Sequence, residues 1–421
     1  MDGRRVWFDN NPSNEVFNRD TIRQSAQSFK WKGVALMSKI PVLSLFSGCG
    51  GMDLGFEGGF WVKSACVSPT SEMVEARRDE WVLLKRNRFE TVFANDILPS
   101  AKLVWESNFR RSGVFHLESI VDLVKKAKTG DFVFPEADVV TGGFPCQDFS
   151  VAGKRNGFRS HRNHEGSFSN GSESTMESRG MLYLWMREVI GLVNPFIFIA
   201  ENVRGLASLG DALQVISEDF KTVGLGYEVD ARLLSAVKHG IPQTRDRIFF
   251  IGVRKDAAHF IKPKDLFPEE SSDAFPTVAD VLWDLPEPEV SPDPSHRQYS
   301  KAKWYGKHCQ GQTEVNWNGP GPTIRSEHHG NIEFRRLSEE HGGKNDTGKS
   351  LPERRLTPRE CARIQTFPDD FSFVMDGVGA SAAYKLIGNA VPPLLAYHLA
   401  KNIEVALKTV KESDHMIEIG A

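Results

Sequence analysis

The stretch IPVLSLFSGCGGMDLGFE, residues 40–57, constrains this chain more than any other. It runs apolar through Phe46, turns at Ser47 to Gly51, and resumes with helical spacing at Met52, Leu54 and Phe56. A strand that passes through glycines into a helix lets the backbone approach a ligand closely and aims amide groups at it. A tight turn with no ligand would be written the same way. The order Phe-x-Gly-x-Gly-Gly (Phe46, Gly48, Gly50, Gly51) is not the Gly-x-Gly-x-x-Gly of nicotinamide enzymes, which argues against a dehydrogenase.

Four more short apolar runs follow: TVFAND (91–96), ADVVTGG (137–143), PFIFIAENV (195–203) and RIFFIGV (247–253). Helical stretches such as MLYLWMREVIGLV lie between some of them. Strand alternating with helix predicts an α/β fold around a parallel, doubly wound sheet. In such a sheet ligands gather beyond the carboxyl ends of the strands, so Asp96, the Pro145-Cys146-Gln147 turn and Glu201-Asn202 are expected to face one crevice.

With 421 residues, 40% of them hydrophobic, the chain can bury a large core and has room for two domains. Its five cysteines are scattered and nowhere spaced Cys-x-x-Cys, so neither a disulfide framework nor a zinc site is indicated, and no metal is expected. No apolar run approaches the roughly 18 residues of a membrane span, and the reading is cytoplasmic with no membrane partner. The net charge of −3 leaves a nucleic-acid partner open, because phosphate contacts need a local basic face rather than a basic average.

Cys146 follows a strand, on a turn stiffened by Pro145 and bordered by Gln147 and Asp148. A thiol there is accessible to nearby amide dipoles that favour its thiolate, although a structural cysteine fits the same position. Glu201 ends an apolar run, where a carboxylate must be protonated or paired; a capping or salt-bridged acid is the plainer alternative. Together, thiol and acid suggest covalent attack on a polarised ring or carbonyl, with Glu201 holding a proton. In HGIPQTRDRIFFIGV, Gln243, Arg245 and Arg247 alternate and are expected to share one strand face, suited to phosphate, carbonyl or carboxylate oxygens.

Read in order, LFSGCGG, GGFPCQDFS, ENVRGL, GIPQTRDR, RRLTPRECARIQTFPDDF and LIGNAVPP resemble the successive motifs of the C5-cytosine DNA methyltransferases, of prokaryotic type, from about Pro41 to Pro393. The resemblance implies a doubly wound mixed sheet of the S-adenosylmethionine-dependent methyltransferase (Rossmann-like) fold, with a smaller target-recognition domain. Residues 1–37 would be an N-terminal extension, 38–253 the catalytic domain, 254–380 the recognition domain, and 381–421 a segment completing the catalytic domain. Cys146 matches the nucleophile that attacks cytosine C6, and Glu201 the acid at N3. Arg247 matches the contact to O2, and Arg245 a residue near the thiolate and backbone phosphate.

For the cofactor, the resemblance implies Phe46, Gly48, Gly50, Leu182 and Asn389, with Asp96 on the ribose and Ile97 on the adenine. That placement of Asp96 makes residues 59–89 an insertion, and leaves Glu118 and Ser119 competing for the adenine amino group. For DNA it implies Gln147, Ser150, Lys154, Arg155, Gln243, Thr323 and Arg325. The stretch after Cys146 would form a loop that closes on DNA. The partner would be double-stranded DNA whose target base is flipped out, the protein acting as a monomer, paired with a restriction endonuclease or solitary. An RNA methyltransferase on the same scaffold and a catalytically silent relative are the alternatives. The recognition region of about 100 residues favours DNA over the first, and the retained Cys146 and Glu201 count against the second.

Overall fold

The computed structural model describes residues 38–145, 182–208, 211–271, 275–306, 308–326, 331–349 and 351–419. Cys146, Gln147, Ser150, Lys154 and Arg155 lie outside the described residues.

Ten strands precede residue 255: β1 (Ile40–Leu45), β2 (Trp61–Lys63), β3 (Val74–Arg78), β4 (Trp81–Leu84), β5 (Phe89–Asp96), β6 (Phe115–Leu117), β7 (Val139–Gly143), β8 (Ile197–Val203), β9 (Tyr227–Ser235) and β10 (Asp246–Arg254). Seven form one sheet in the order β6-β5-β1-β7-β8-β10-β9. The connecting helices are α1 (Gly51–Glu57), α2 (Pro99–Phe109), α3 (Ile120–Thr129), α4 (Leu182–Val193) and α5 (Ala212–Lys221). The chain leaves β1 toward β5 and β6, then returns to its other side for β7 and β8. The carboxyl end of β1 is therefore the topological switch point, where such sheets open a crevice.

Pairing is parallel from β6 through β8, as the alternation predicted, but β10 runs antiparallel to both β8 and β9. The sheet is mixed. One consequence is geometric: the amino end of β10 lies beside the carboxyl end of β8, with Arg247 opposite Val203 and Phe249 opposite Glu201. An arginine at the start of a strand thus reaches the ligand edge.

Strands in the middle of the sheet are buried on both faces, which is why β8 reads as a continuous apolar run. Their side chains pack with α3, α4 and α5 into a core that includes Leu43, Phe93, Val140, Met186, Phe198 and Phe250. The 59–89 insertion folds into its own antiparallel sheet, ordered β2-β4-β3. Beyond it lie α6 (Val278–Leu282), α7 (Pro294–Arg297), β11 (Phe334–Arg336), β12 (Arg354–Arg355), α8 (Pro358–Ile364), α9 (Ala380–Asn389) and α10 (Pro393–Ile419). No helix among the described residues is long and apolar enough to cross a membrane.

The segment between α6 and α8 has little regular structure, and its order comes from guanidiniums. Arg336 grips Glu287 at 2.8 and 2.6 Å, and Arg354 joins Glu287 to Glu360. Arg355 donates to the carbonyls of Ala302, Lys303, Gly311 and Ile332. These forks tie remote loops together where an apolar core is thin. Burial alone would raise Glu360, but Arg354 and its neighbours hold its carboxyl below the usual range.

Helix α10 lies on α1 because Gly55 has no side chain: a Cβ there would sit 2.4 Å from the Pro393 carbonyl oxygen. The other face of α1 carries Asp53, whose Oδ2 accepts from Trp105 Nε1 at 2.7 Å while Oδ1 has no hydrogen-bond partner. Burial pushes this carboxyl up to about 6. A raised acid stabilises the fold most below the ordinary carboxylate range, and that contribution is lost as pH rises through about 6. Asp53→Asn cannot ionise and keeps an acceptor for Trp105. It should therefore gain stability over the wild type as pH rises from about 4 to about 6.5, by up to about 3 kcal/mol, and keep that margin at higher pH, measured as melting temperatures that diverge over this range.

Candidate active site

The crevice is built at the carboxyl ends of β1, β5, β7 and β8. Phe46 leaves β1 with φ 52°, a left-handed conformation uncommon for a bulky residue and a marker of functional turns. The turn is laced to β5: Ser47 N donates to Asn95 O at 2.8 Å, and Asn95 N donates to Ser47 Oγ at 3.0 Å. Gly50 caps α1 at φ 89°, where a Cβ would come within 2.5 Å of the Phe109 ring. Gly48 faces open space, with nothing within 4 Å of where its Cβ would be.

Asp96 sits at the end of β5, against that turn. Its Oδ2 accepts from Gly48 N and its Oδ1 from Leu98 N, both at 3.0 Å. Burial raises the Asp96 carboxyl, opposed by these amides and by Lys385. A carboxylate has about four lone-pair sites, so two remain for hydroxyls. Ile97, beside it, is 45% exposed, a bare apolar surface at the crevice. The open turn, the acid and the exposed aliphatic side chain fit a ribose and an adenine.

Glu118 pairs with Lys126 at 2.5 Å, and Ser119 Oγ caps α3 by accepting from Val121 N. Both rivals for the adenine amino group therefore have structural partners. Leu182 opens α4 inside the core, in the same cluster as Phe144. Asn389 is exposed at the end of α9, four residues on from Lys385 and on the same helix face.

Glu201 is paired in register with Gly143, three residues before Cys146. It is buried, and burial raises its carboxyl, opposed by Arg247 and then Arg245. Arg247 Nε stands 2.9 Å from Glu201 Oε1, at ion-pair distance but off the hydrogen-bond line, so Oε1 lacks an aligned donor. A carboxyl poised between burial and a cation can hold or release a proton. Asn202, expected from sequence to face the crevice but given no role there, donates from Nδ2 to Phe144 O at 3.2 Å and anchors the turn leading to Cys146.

The expectation that Gln243, Arg245 and Arg247 share a strand face is corrected. The strand begins at Asp246, because the loop before it pairs elsewhere: Gly321 N donates to Pro242 O, and Thr244 N to Gly321 O. Only Arg247 belongs to β10. Arg245 is 1% exposed, its guanidinium donating to Ile324 O at 2.9 Å and to Gly388 O and Ala390 O at 3.0 Å. Gln243 is fully buried, donating to Gln365 Oε1 and accepting from Ile324 N. These two side chains hold the crevice wall to the 321–325 loop instead of facing outward to a phosphate.

Thr323 Oγ1 donates to Thr244 O at 2.6 Å, and Arg325 donates to Gln310 Oε1, Asn331 O and Glu333 Oε1. Both are thus anchored at the junction between the sheet and the segment after it.

A family model for C-5 cytosine-specific DNA methylases matches residues 40–405. The type II methyltransferase M.BsuRI of Bacillus subtilis is 32% identical over 386 residues, covering 87% of this chain and 79% of that protein. The type II methyltransferase M.NgoPII of Neisseria gonorrhoeae is 31% identical over 388 residues, covering 87% and 96%. Among solved structures, the Entamoeba histolytica methyltransferase EhMeth superposes with a TM-score of 0.56 at 15% identity, over 88% of this chain and 99% of that one. The S. pombe Dnmt2 methyltransferase gives 0.53 at 17% identity, over 89% and 99%. These structural likenesses concern the fold. The family match and the curated relatives carry the assignment: this chain belongs to the C-5 cytosine-specific DNA methylases and is a DNA cytosine-5-methyltransferase.

Proposed function

We propose that the enzyme uses S-adenosylmethionine and a transient covalent bond from Cys146 to methylate a flipped-out cytosine in one short duplex sequence. The observation that carries this reading is the buried Glu201 beside Arg247, at the strand ends from which Cys146 follows. Cytosine C5 is too weak a nucleophile to take a methyl group unaided. The Cys146 thiolate adds to C6; the ring electrons move toward N3, where Glu201 supplies the proton, and Arg247 steadies O2. C5 becomes enamine-like and gains the methyl group. Loss of the C5 proton to a base then expels the thiolate and restores the ring.

The cofactor would supply the electrophilic methyl group. Phe46, Gly48, Gly50, Asp96, Ile97, Leu182 and Asn389 would hold it, Asp96 through the ribose. Flipping the target base costs a few kcal/mol, recovered from contacts to the opened duplex. Gln147, Ser150, Lys154 and Arg155, with Thr323 and Arg325, are the proposed DNA contacts. Residues 254–380 would form the recognition domain and 381–421 would complete the catalytic one. The enzyme would be a cytoplasmic monomer, paired with a restriction endonuclease or solitary.

Asp96→Ala should weaken S-adenosylmethionine binding at least about tenfold in calorimetry, through lost charge-assisted hydrogen bonds. Unchanged affinity would move the ribose contact elsewhere. The reaction itself is tested by methyl transfer from labelled S-adenosylmethionine to unmethylated plasmid, followed by bisulfite sequencing. Label at cytosines sharing one short context is expected. Label only in structured RNA, or none, would overturn the substrate assignment.

A further inference from the structure

The 59–89 insertion plays no part in the proposed reaction, yet its two ends help to enclose an open cleft of about 420 Å3 with the end of α2. That volume falls within the range of small-molecule sites, roughly 300–1,000 Å3. Three arginines line it: Arg86, Arg110 and Arg111. Arg111 grips Glu57 with two bonds of 2.7 and 2.8 Å, and Glu57 Oε1 also accepts from Thr91 N, so that carboxylate is fully engaged. Among the described residues the side chains of Arg86 and Arg110 have no hydrogen bond or ion pair, and both are exposed. Asp370 is the other carboxylate on the rim.

Arg110 is also unusual in its backbone. It ends α2 at φ 54° and ψ 38°, the left-handed cap that glycine occupies without strain. The apolar wall comes from Phe109 and Phe371, whose rings meet edge to face at 6.4 Å. The cleft adjoins the catalytic crevice at Phe109, whose ring abuts Gly50, while its far end, where Glu57 meets β5 at Thr91, lies five residues before Asp96 and so about 17 Å away along the strand.

We infer that this cleft binds a phosphate-bearing small molecule with a flat ring, of the nucleoside monophosphate class, with Arg86 and Arg110 on the phosphate and the phenylalanine wall against the ring. Guanidinium forks match phosphate oxygens, and aromatic edges suit a heterocycle. The inference stands apart from the methyl-transfer reading.

The test is calorimetric titration of the full chain with uridine monophosphate, in saturating S-adenosylhomocysteine so that the crevice does not contribute. Uridine monophosphate should bind at least about tenfold more tightly than inorganic phosphate, and the Arg86→Ala/Arg110→Gly double variant should lose at least about tenfold of that affinity. Arg110→Gly alone should melt higher than the wild type, showing that it folds, and methyl transfer without nucleotide should be unchanged. No binding at millimolar nucleotide, or equal binding by the double variant, would overturn the site. A short DNA duplex that binds there while the mononucleotide does not would overturn the small-molecule assignment.

Discussion

Cys146→Ala is expected to reduce methyl transfer by at least about four orders of magnitude while leaving S-adenosylmethionine affinity unchanged. Without the thiolate there is no addition at C6, and the remaining groups can only bind and orient the base. Glu201 and Arg247 would still contact N3 and O2, so duplex affinity should fall little. Three measurements separate the outcomes: single-turnover transfer, cofactor titration and duplex binding. Turnover near wild type would remove Cys146 from the nucleophile role. A parallel loss of cofactor affinity would mean that the substitution had disturbed the fold.

The second large effect is structural and acts through Arg245. Its guanidinium satisfies three carbonyls on two segments remote in sequence, at Ile324, Gly388 and Ala390. Arg245→Met keeps much of the apolar stem and removes every donor. Unsatisfied buried carbonyls cost about 1–3 kcal/mol each before relaxation, so a net loss of about 3–5 kcal/mol is expected. That is a large share of the roughly 5–15 kcal/mol by which folded proteins are stable. The melting temperature should fall by several degrees. Activity should fall with it, because the same bonds set the loop carrying Thr323 and Arg325 and the turn carrying Asn389 against the start of β10. Arg245→Lys should be intermediate, as one ammonium cannot reproduce the planar fork. An unchanged melting temperature with lost DNA affinity would instead return Arg245 to the phosphate-binding role.

Much of this was legible in the sequence where chemistry is local. The glycine turn after β1, the acid ending β5 and the acid near the end of β8 each lie within a few residues of the run that identifies them. Asp96 is found against Gly48, as a strand-end acid facing the turn requires. What could not be read depends on distant partners. The alternation of Gln243, Arg245 and Arg247 suggested one strand face, but a bridge to Gly321 delays the strand to Asp246. Arg336 and Arg354 find Glu287 across 49 and 67 residues of chain, and no local period reports that. The insertion was visible as a gap before β5, but its polar strand β3, exposed along most of its length, carries no burial alternation to announce a sheet.

The central claim, a covalent bond between Cys146 and cytosine C6, is tested most directly with a duplex whose target cytosine carries fluorine at C5. After methyl transfer the base must remove a proton from C5; fluorine cannot leave as a cation, so the thiolate is not expelled. Mass spectrometry of the digested complex should find the nucleotide, carrying one added methyl group, on the peptide containing Cys146. Absence of any adduct while the unfluorinated duplex is methylated, or an adduct on another residue, would contradict the account.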